Sequence, residues 1–175
     1  MATLVRVGIF AMSCILMATH YLQIADADES LINNLCSNTL EPGYCKCCFQ
    51  SIPGSNQQDA RGLGGSSIKC AAKQSIIVQL DFRELASNCT DGEVEKTYDT
   101  CVDRIVAARH FFGDAYLTWE EGRYSDAAEL AQAALENYWQ CVHQLEGSSM
   151  TPKLITDCVY LRAFSEVAVG ILHQL

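Results

Sequence analysis

Basic residues and prolines are both scarce in this chain of 175 residues. Lysine and arginine number 12 against 21 acidic residues, which gives a formal net charge of −9. Proteins that bind nucleic acid present a basic surface to the phosphates, so this charge balance argues against that class. Only 3 prolines occur, which favours long uninterrupted helices. Charged residues make up 19% of the chain and apolar residues 49%, proportions typical of one folded domain.

The chain also lacks a long apolar run, because its strongest one, Val7–Ala18, is too short to cross a membrane comfortably. The six residues before this run carry one positive charge, at Arg6, and Ala25-Asp26-Ala27 follows the run. This order is typical of a secretory signal peptide with an A-x-A cleavage site. We therefore predict a signal peptide over 1–27 and a soluble, secreted domain over 28–175. An uncleaved anchor is the alternative.

Apolar residues recur at helical spacing in four long segments, at about 57 to 88, 93 to 120, 125 to 145 and 152 to 174. In the second segment the steps alternate between three and four residues from Tyr98 to Trp119, the spacing of a heptad seam. Four such stripes joined by short polar loops bury each other most simply as a bundle. The fold class is therefore predicted to be all-α, with an antiparallel up-down four-helix bundle.

A short helical hairpin is predicted ahead of the bundle. Ser30–Ile52 has helical character, with Pro42-Gly43 at its bend. We assign 28–55 to this hairpin and 56–175 to the bundle.

Cysteine is abundant, with 10 residues, and in a secreted chain it indicates disulfides. In an antiparallel hairpin, facing residues have their midpoint at the turn. Cys101 and Cys141 have theirs at Glu121-Gly122, and Cys36 and Cys45 have theirs beside Pro42. These two pairs are predicted to form disulfides that stabilise the fold.

Five further cysteines of the predicted secreted part cannot all pair within one chain: Cys47, Cys48, Cys70, Cys89 and Cys158. Cys89, at the end of the first bundle helix, is placed to reach Cys158 near the start of the last. Cys47 and Cys48 have two alternatives, pairing with Cys70 or linking two chains into a homodimer. The spacing of Cys45-Lys46-Cys47-Cys48 is similar to that of a thiolate metal cluster, but no second ligand set lies nearby, so no metal or cofactor is expected.

Two short motifs have competing interpretations. Asn88-Cys89-Thr90 is a sequon, which makes Asn88 a candidate glycosylation site. Gly62-Leu63-Gly64-Gly65 has the composition of a phosphate loop, but it lacks the Lys-Ser/Thr that would follow one. A loosened helix start or a close packing point is the favoured interpretation. Neither a Gly-x-Ser-x-Gly motif nor a distinct acid pair indicates catalysis.

Several groups of residues carry a resemblance to a known family. They are Leu31-Ile32, Cys36-Ser37-Asn38-Thr39, Pro42 and Cys45, then Asp59-Ala60-Arg61-Gly62-Leu63-Gly64, Tyr98-Asp99-Thr100-Cys101, Gly122-Arg123-Tyr124-Ser125 and Ala133-Ala134-Leu135 with Cys141. With these residues the chain resembles the plant inhibitors of pectin methylesterase and invertase over nearly all of 29–175. The resemblance implies a secreted domain, a helical hairpin that leads a four-helix bundle, and the same two disulfides.

Within the family, the chain is more similar to the pectin methylesterase inhibitors. Invertase inhibitors often carry Pro-Lys-Phe before the third bundle helix, where this chain has Arg123-Tyr124-Ser125-Asp126. The resemblance implies contact with the enzyme through polar groups on the second and third bundle helices. The corresponding positions share an outward direction in the predicted helices: Asp99, Asp103, Asn137, Gln140 and His143. The alternative is that they are only the solvated face. Gln140 stands where the family usually has Thr, and His143 where an acid is frequent.

The sequence thus predicts a non-enzymatic inhibitor in the apoplast or cell wall, with the vacuole as an alternative destination. The favoured partner is pectin methylesterase in a 1:1 complex, blocked by steric occlusion of its carbohydrate cleft. An inhibitor of cell-wall or vacuolar invertase is the first alternative. The others are a non-inhibitory apoplastic binding protein, acting as a dimer or ligand carrier, and a propeptide-like module.

Overall fold

The computed structural model describes residues 29–145 and 150–175, and within them all regular secondary structure is helical. Helix α1 includes residues 29–37. The helices that follow are α2 (Pro42–Gln50), a 3-10 turn (Ser55–Gln57), α3 (Ala60–Asn88), α4 (Gly92–Glu120), α5 (Tyr124–Gln144) and α6 (Pro152–Leu172). The described part of the chain contains no strand, so the predicted all-α class is confirmed. The predicted signal peptide over 1–27 lies outside the described residues.

Helices α3 to α6 form the bundle. Helix α3 packs on α4 and α6, and α5 also packs on α4 and α6, so each helix has two neighbours around one core. The heptad seam of α4 points into this core from Tyr98 to Ala115, and Trp119 at its end is half-buried. The same apolar spacing that predicts the helices therefore also places their buried faces.

Side-chain caps set the helix starts. Asp59 accepts a hydrogen bond from Gly62 N at 2.8 Å, so α3 begins at Ala60 and not at the predicted 57. Thr151 Oγ1 accepts from Leu154 N at 3.2 Å ahead of Pro152, the cap and first residue of α6. Helix α5 begins without a side-chain cap at Tyr124, one residue before the expected 125, whereas the caps of α3 and α6 are hydrogen-bonded. Such caps satisfy backbone donors that the first turn of a helix leaves free.

The hairpin α1–α2 lies against α3 and α6. Its bend falls at residues 38–41, slightly before the predicted Pro42-Gly43, because Pro42 is the first residue of α2. Proline suits that position since its missing N–H would have no partner there. Arg162 on α6 pairs with Glu41 at 3.0 Å, and Gln174 Nε2 donates to Leu35 O at 3.3 Å. These contacts fasten the hairpin to the last bundle helix.

Three disulfides join described helices. Cys36 bonds to Cys45 and Cys101 to Cys141, the two pairs inferred from the turn midpoints, and Cys48 bonds to Cys70. Cys47, Cys89 and Cys158 are free thiols.

The predicted pairing of Cys89 with Cys158 is wrong, because both are free thiols. Cys158 points into the core from the second turn of α6, where burial raises the pKa of its thiol to about 12. Cys89 instead caps α3, and its Sγ donates to Asp91 O at 3.3 Å.

The glycine-rich stretch is helical and lies in α3, so the packing interpretation of Gly62-Leu63-Gly64-Gly65 is confirmed and the phosphate-loop one is wrong. The side chain of Trp119 from α4 covers Gly64 and Gly65. The stretch is thus a contact between two bundle helices.

Candidate functional site

The five predicted contact residues all lie on α4 and α5, the two helices that the Cys101–Cys141 bond joins with a Cα–Cα distance of 4.7 Å. Asp99 and Asp103 stand two residues to either side of Cys101, and Gln140 immediately precedes Cys141. We call this surface the α4–α5 face; it consists of Asp99, Asp103, Asn137, Gln140 and His143. The disulfide holds its two halves in one fixed arrangement.

The α4 half of the face is acidic. Asp99 and Asp103 are exposed and lie one helical turn apart, so their carboxylates share one side of the helix. Their buried neighbours, Cys101, Val102 and Ile105, point the other way. Because the two carboxylates lie in water, a partner has to be basic or polar where it meets them.

The α5 half of the face is polar and aromatic. Gln140 and His143 are exposed, while Asn137 is half-buried. Asn137 Nδ2 donates to Ala133 O at 2.9 Å, which satisfies part of that amide within its own helix. The imidazole of His143 lies beside the half-buried indole of Trp139, with ring centroids 5.8 Å apart. The sequence analysis does not include Trp139 in the face. Its position four residues before His143 indicates that the two side chains lie on the same side of α5.

Tyr138 supports this half of the face from behind. It is buried, and its hydroxyl donates to Cys158 O on α6 at 2.8 Å. Burial raises the pKa of the Tyr138 hydroxyl, so this group stays a neutral donor. Its ring also contacts Trp139, with centroids 5.7 Å apart, so α6 helps to position the exposed aromatic group of α5.

A shallow groove extends the α4–α5 face toward the start of α4 and the end of α5. Its polar lining includes Lys96, Thr97, Thr100 and Gln144, none of which the sequence analysis singled out. The threonine hydroxyls donate to carbonyls of their own helix, Thr97 to Glu93 O and Thr100 to Lys96 O. Their oxygen atoms remain available as acceptors, so the groove adds hydrogen-bonding capacity to the face.

The turn between α4 and α5 has a different character. Gly122 has a φ of 79°, which permits the tight reversal, and Arg123 then pairs with Glu121 at 2.6 Å and Asp126 at 2.7 Å. The guanidinium of Arg61 on α3 lies over the ring of Tyr124, 5.7 Å from its centroid. At the position where a family member can carry Pro-Lys-Phe, this chain therefore has a closed network of charged groups.

Other predicted sites fall away from this face. Asn88 is exposed in the last turn of α3, and its Nδ2 donates to Glu84 O at 2.9 Å, so its glycosylation stays a prediction. Over 29–145 and 150–175, histidine, cysteine and acidic side chains form no group of three or more that suits a metal ion. Within the same ranges, no helix has the length and hydropathy needed to span a bilayer.

Comparisons with known proteins give the family. The model of the plant invertase/pectin methylesterase inhibitor family matches residues 30–169. A protein from Actinidia deliciosa named "Pectinesterase inhibitor" is 28% identical over 126 residues, which cover 72% of this chain and 68% of that protein.

Solved structures agree on the fold. A mutant form of a pectin methylesterase inhibitor from Arabidopsis superposes with a TM-score of 0.72 at 16% identity, covering 82% of this chain and 96% of that one. Another crystal structure, of a pectin methylesterase inhibitor from Arabidopsis thaliana, gives a TM-score of 0.63 at 16% identity, covering 83% and 96%. Because the family model spans most of both the hairpin and the bundle, this chain belongs to the plant invertase/pectin methylesterase inhibitor family.

Proposed function

We propose that this protein is a secreted inhibitor of pectin methylesterase, without enzymatic activity of its own. The observation that supports the target is the pectinesterase inhibitor from Actinidia deliciosa, which is similar over 72% of the chain. The predicted signal peptide supports an apoplastic or cell-wall location. The protein then meets its enzyme in the cell wall and limits the removal of methyl esters from pectin.

The proposed mechanism is steric. The α4–α5 face covers the carbohydrate cleft of the enzyme in a 1:1 complex and so keeps the polysaccharide out. A face fixed by the Cys101–Cys141 bond loses little conformational freedom on binding, which favours affinity. Asp99 and Asp103 meet basic groups of the enzyme, while the Trp139–His143 pair and Gln140 supply the aromatic and polar anchors.

The family description also covers invertase, so an inhibitor of acid invertase is the second candidate. The charged network of Arg123 with Glu121 and Asp126 at the α4–α5 turn disfavours it, because these groups satisfy one another instead of facing a sugar site. A non-inhibitory binding protein is a third candidate and predicts no loss of activity in either enzyme.

The test is inhibition of purified pectin methylesterase and acid invertase by the oxidised domain 28–175. We expect loss of methylesterase activity alone. Asp103→Lys and Gln140→Lys each weaken inhibition by about tenfold, whereas Gln57→Lys, an exposed change in the 3-10 turn before α3, leaves it unchanged. Inhibition of invertase alone would move the assignment to the second candidate, and inhibition of neither enzyme by a correctly bridged protein would overturn both.

A further inference from the structure

A second concave surface lies on the hairpin, away from the α4–α5 face. It is formed between α1, α2 and the 3-10 turn, and we call it the hairpin groove. Its lining includes four polar side chains that reach the surface from these three elements: Asn33, Lys46, Gln50 and Asn56. Each is exposed, and none of them makes a side-chain hydrogen bond or ion pair with another described residue.

The neighbouring polar groups behave differently. Ser51 Oγ donates to Cys48 O at 2.7 Å, Ser55 Oγ to Phe49 O at 2.6 Å, and Ser66 Oγ to Gln58 Oε1 at 2.7 Å. The serines at this corner, including Ser55 of the groove lining, are thus paired within the protein, while the four exposed polar side chains named above are left to the solvent. This division marks the groove as a surface with unused hydrogen-bonding capacity.

The walls of the groove are rigid. Cys36–Cys45 joins α1 to α2, and Cys48–Cys70 joins α2 to α3. Phe49 is fully buried beneath the groove, and its carbonyl holds the 3-10 turn through Ser55. A concave site held in this way binds a ligand without first paying a cost to order its walls.

The lining is suited to carbohydrate. Amide groups both donate and accept hydrogen bonds, as sugar hydroxyls do, and Lys46 adds a further donor. Ile32, Ile52 and Pro53 supply apolar contacts for the C–H face of a sugar ring. Glu29 also lines the groove and offsets the charge of Lys46, and the whole chain carries a net charge of −9. The electrostatic field therefore favours a neutral sugar over an acidic one.

We propose that the hairpin groove binds a short neutral oligosaccharide. Helix α2 packs against α3 and α6, whereas the α4–α5 face is on the other two bundle helices, so an enzyme and a saccharide bind together without collision. If the hairpin groove binds a neutral polysaccharide of the cell wall, the protein is concentrated there, and its effective concentration toward an enzyme that binds the α4–α5 face rises. The saccharide binding itself does not depend on the proposed inhibition.

The test is a titration of the ¹⁵N-labelled domain 28–175 followed by NMR. The probes are cellotetraose, a fully methyl-esterified tetragalacturonide and the same tetragalacturonide with free carboxylates, each to about 20 mM, the range in which a weak site saturates. We expect amide shifts confined to α1, α2 and the 3-10 turn, with both neutral probes binding more tightly than the acidic one.

Variants separate a specific site from general surface contact. Gln50→Ala and Asn56→Ala each weaken binding by about tenfold, because each removes an amide that pairs with the sugar. Gln57→Ala, an exposed amide of the same 3-10 turn that does not line the groove, leaves binding unchanged. Absence of shifts with every probe, tighter binding of the acidic probe, or full binding by both variants would overturn the proposal. Methylesterase inhibition, measured in parallel, stays unchanged in all three variants.

Discussion

The indole ring of Trp119 on α4 occupies the space that a side chain at Gly65 on α3 would fill. A Cβ built on Gly65 would lie 2.7 Å from two ring carbons of Trp119, closer than real Cβ contacts come. Trp119 Nε1 also donates to Arg61 O at 2.9 Å, which fixes the ring against the first turn of α3. The close approach of α3 and α4 at this end of the bundle therefore requires glycine.

Gly65→Ala is expected to lower the free energy of unfolding by about 1–3 kcal/mol, because the added methyl group displaces a packed ring. Gly113→Ala is the matched control, since that glycine is also within a helix but has nothing within 4 Å of its would-be Cβ. It should raise stability by up to about 1 kcal/mol through helix propensity alone. Urea unfolding of both variants measures the difference, and equal stabilities would contradict the packing argument.

Helices α3 and α4 show which features of the fold the sequence predicts and which it does not. The stripe from Tyr98 to Trp119 predicts α4 and its buried side, because periodicity is a local property of the chain. The contact of Trp119 with Gly65 depends on how two helices meet, and so does the ion pair of Arg162 with Glu41. The family resemblance selects the residues of the α4–α5 face, and helical spacing gives their outward direction. The hydrogen bond of Asn137 to Ala133 O and the ring contact of Trp139 with His143 depend on side-chain conformations that spacing does not determine.

The Cys48–Cys70 disulfide is expected to carry a large share of the stability of the hairpin. It closes a loop of 22 residues between α2 and α3, for which chain entropy gives about 3 kcal/mol. Replacing both cysteines with alanine should lower the free energy of unfolding by about that amount. Hydrogen exchange would show the loss concentrated in α1 and α2. Uniform loss over the bundle would show instead that the bond acts on the whole fold.

The free thiols are expected to differ sharply in reactivity. Cys47 is exposed on α2, whereas Cys158 is buried with a pKa raised to about 12, so its reactive thiolate is scarce at neutral pH. Iodoacetamide should label Cys47 in the native protein and Cys158 only after unfolding, as peptide mass analysis would show. If two chains link through a disulfide on non-reducing gels, Cys47→Ser should abolish the dimer without changing the melting temperature. A dimer that persists in this variant would rule out Cys47 as the link.

A charged cluster between α3 and α6 is expected to add to stability as the pH falls through the folded-state pKa of Asp81. Lys153 on α6 donates to Asp81 Oδ1 and lies 3.3 Å from Asp157, while the buried Asp81 Oδ2 has no hydrogen-bond partner in the described ranges. Burial is the main cause that raises the pKa of Asp81 above its ordinary value of 3.8, and proximity to Asp157 adds to it. The folded protein therefore binds this proton more tightly than the unfolded chain does.

The stabilisation from that proton is fully present below pH 3.8 and is lost as the pH rises through the folded-state pKa of Asp81. Asp81→Asn removes the titrating group and should flatten the dependence of unfolding free energy on pH in this window. Part of the slope remains, because burial also raises the pKa of Glu166, which faces Arg162 and Glu41. A slope that is equally steep in Asp81→Asn and the parent protein would show that this cluster does not govern the acid response.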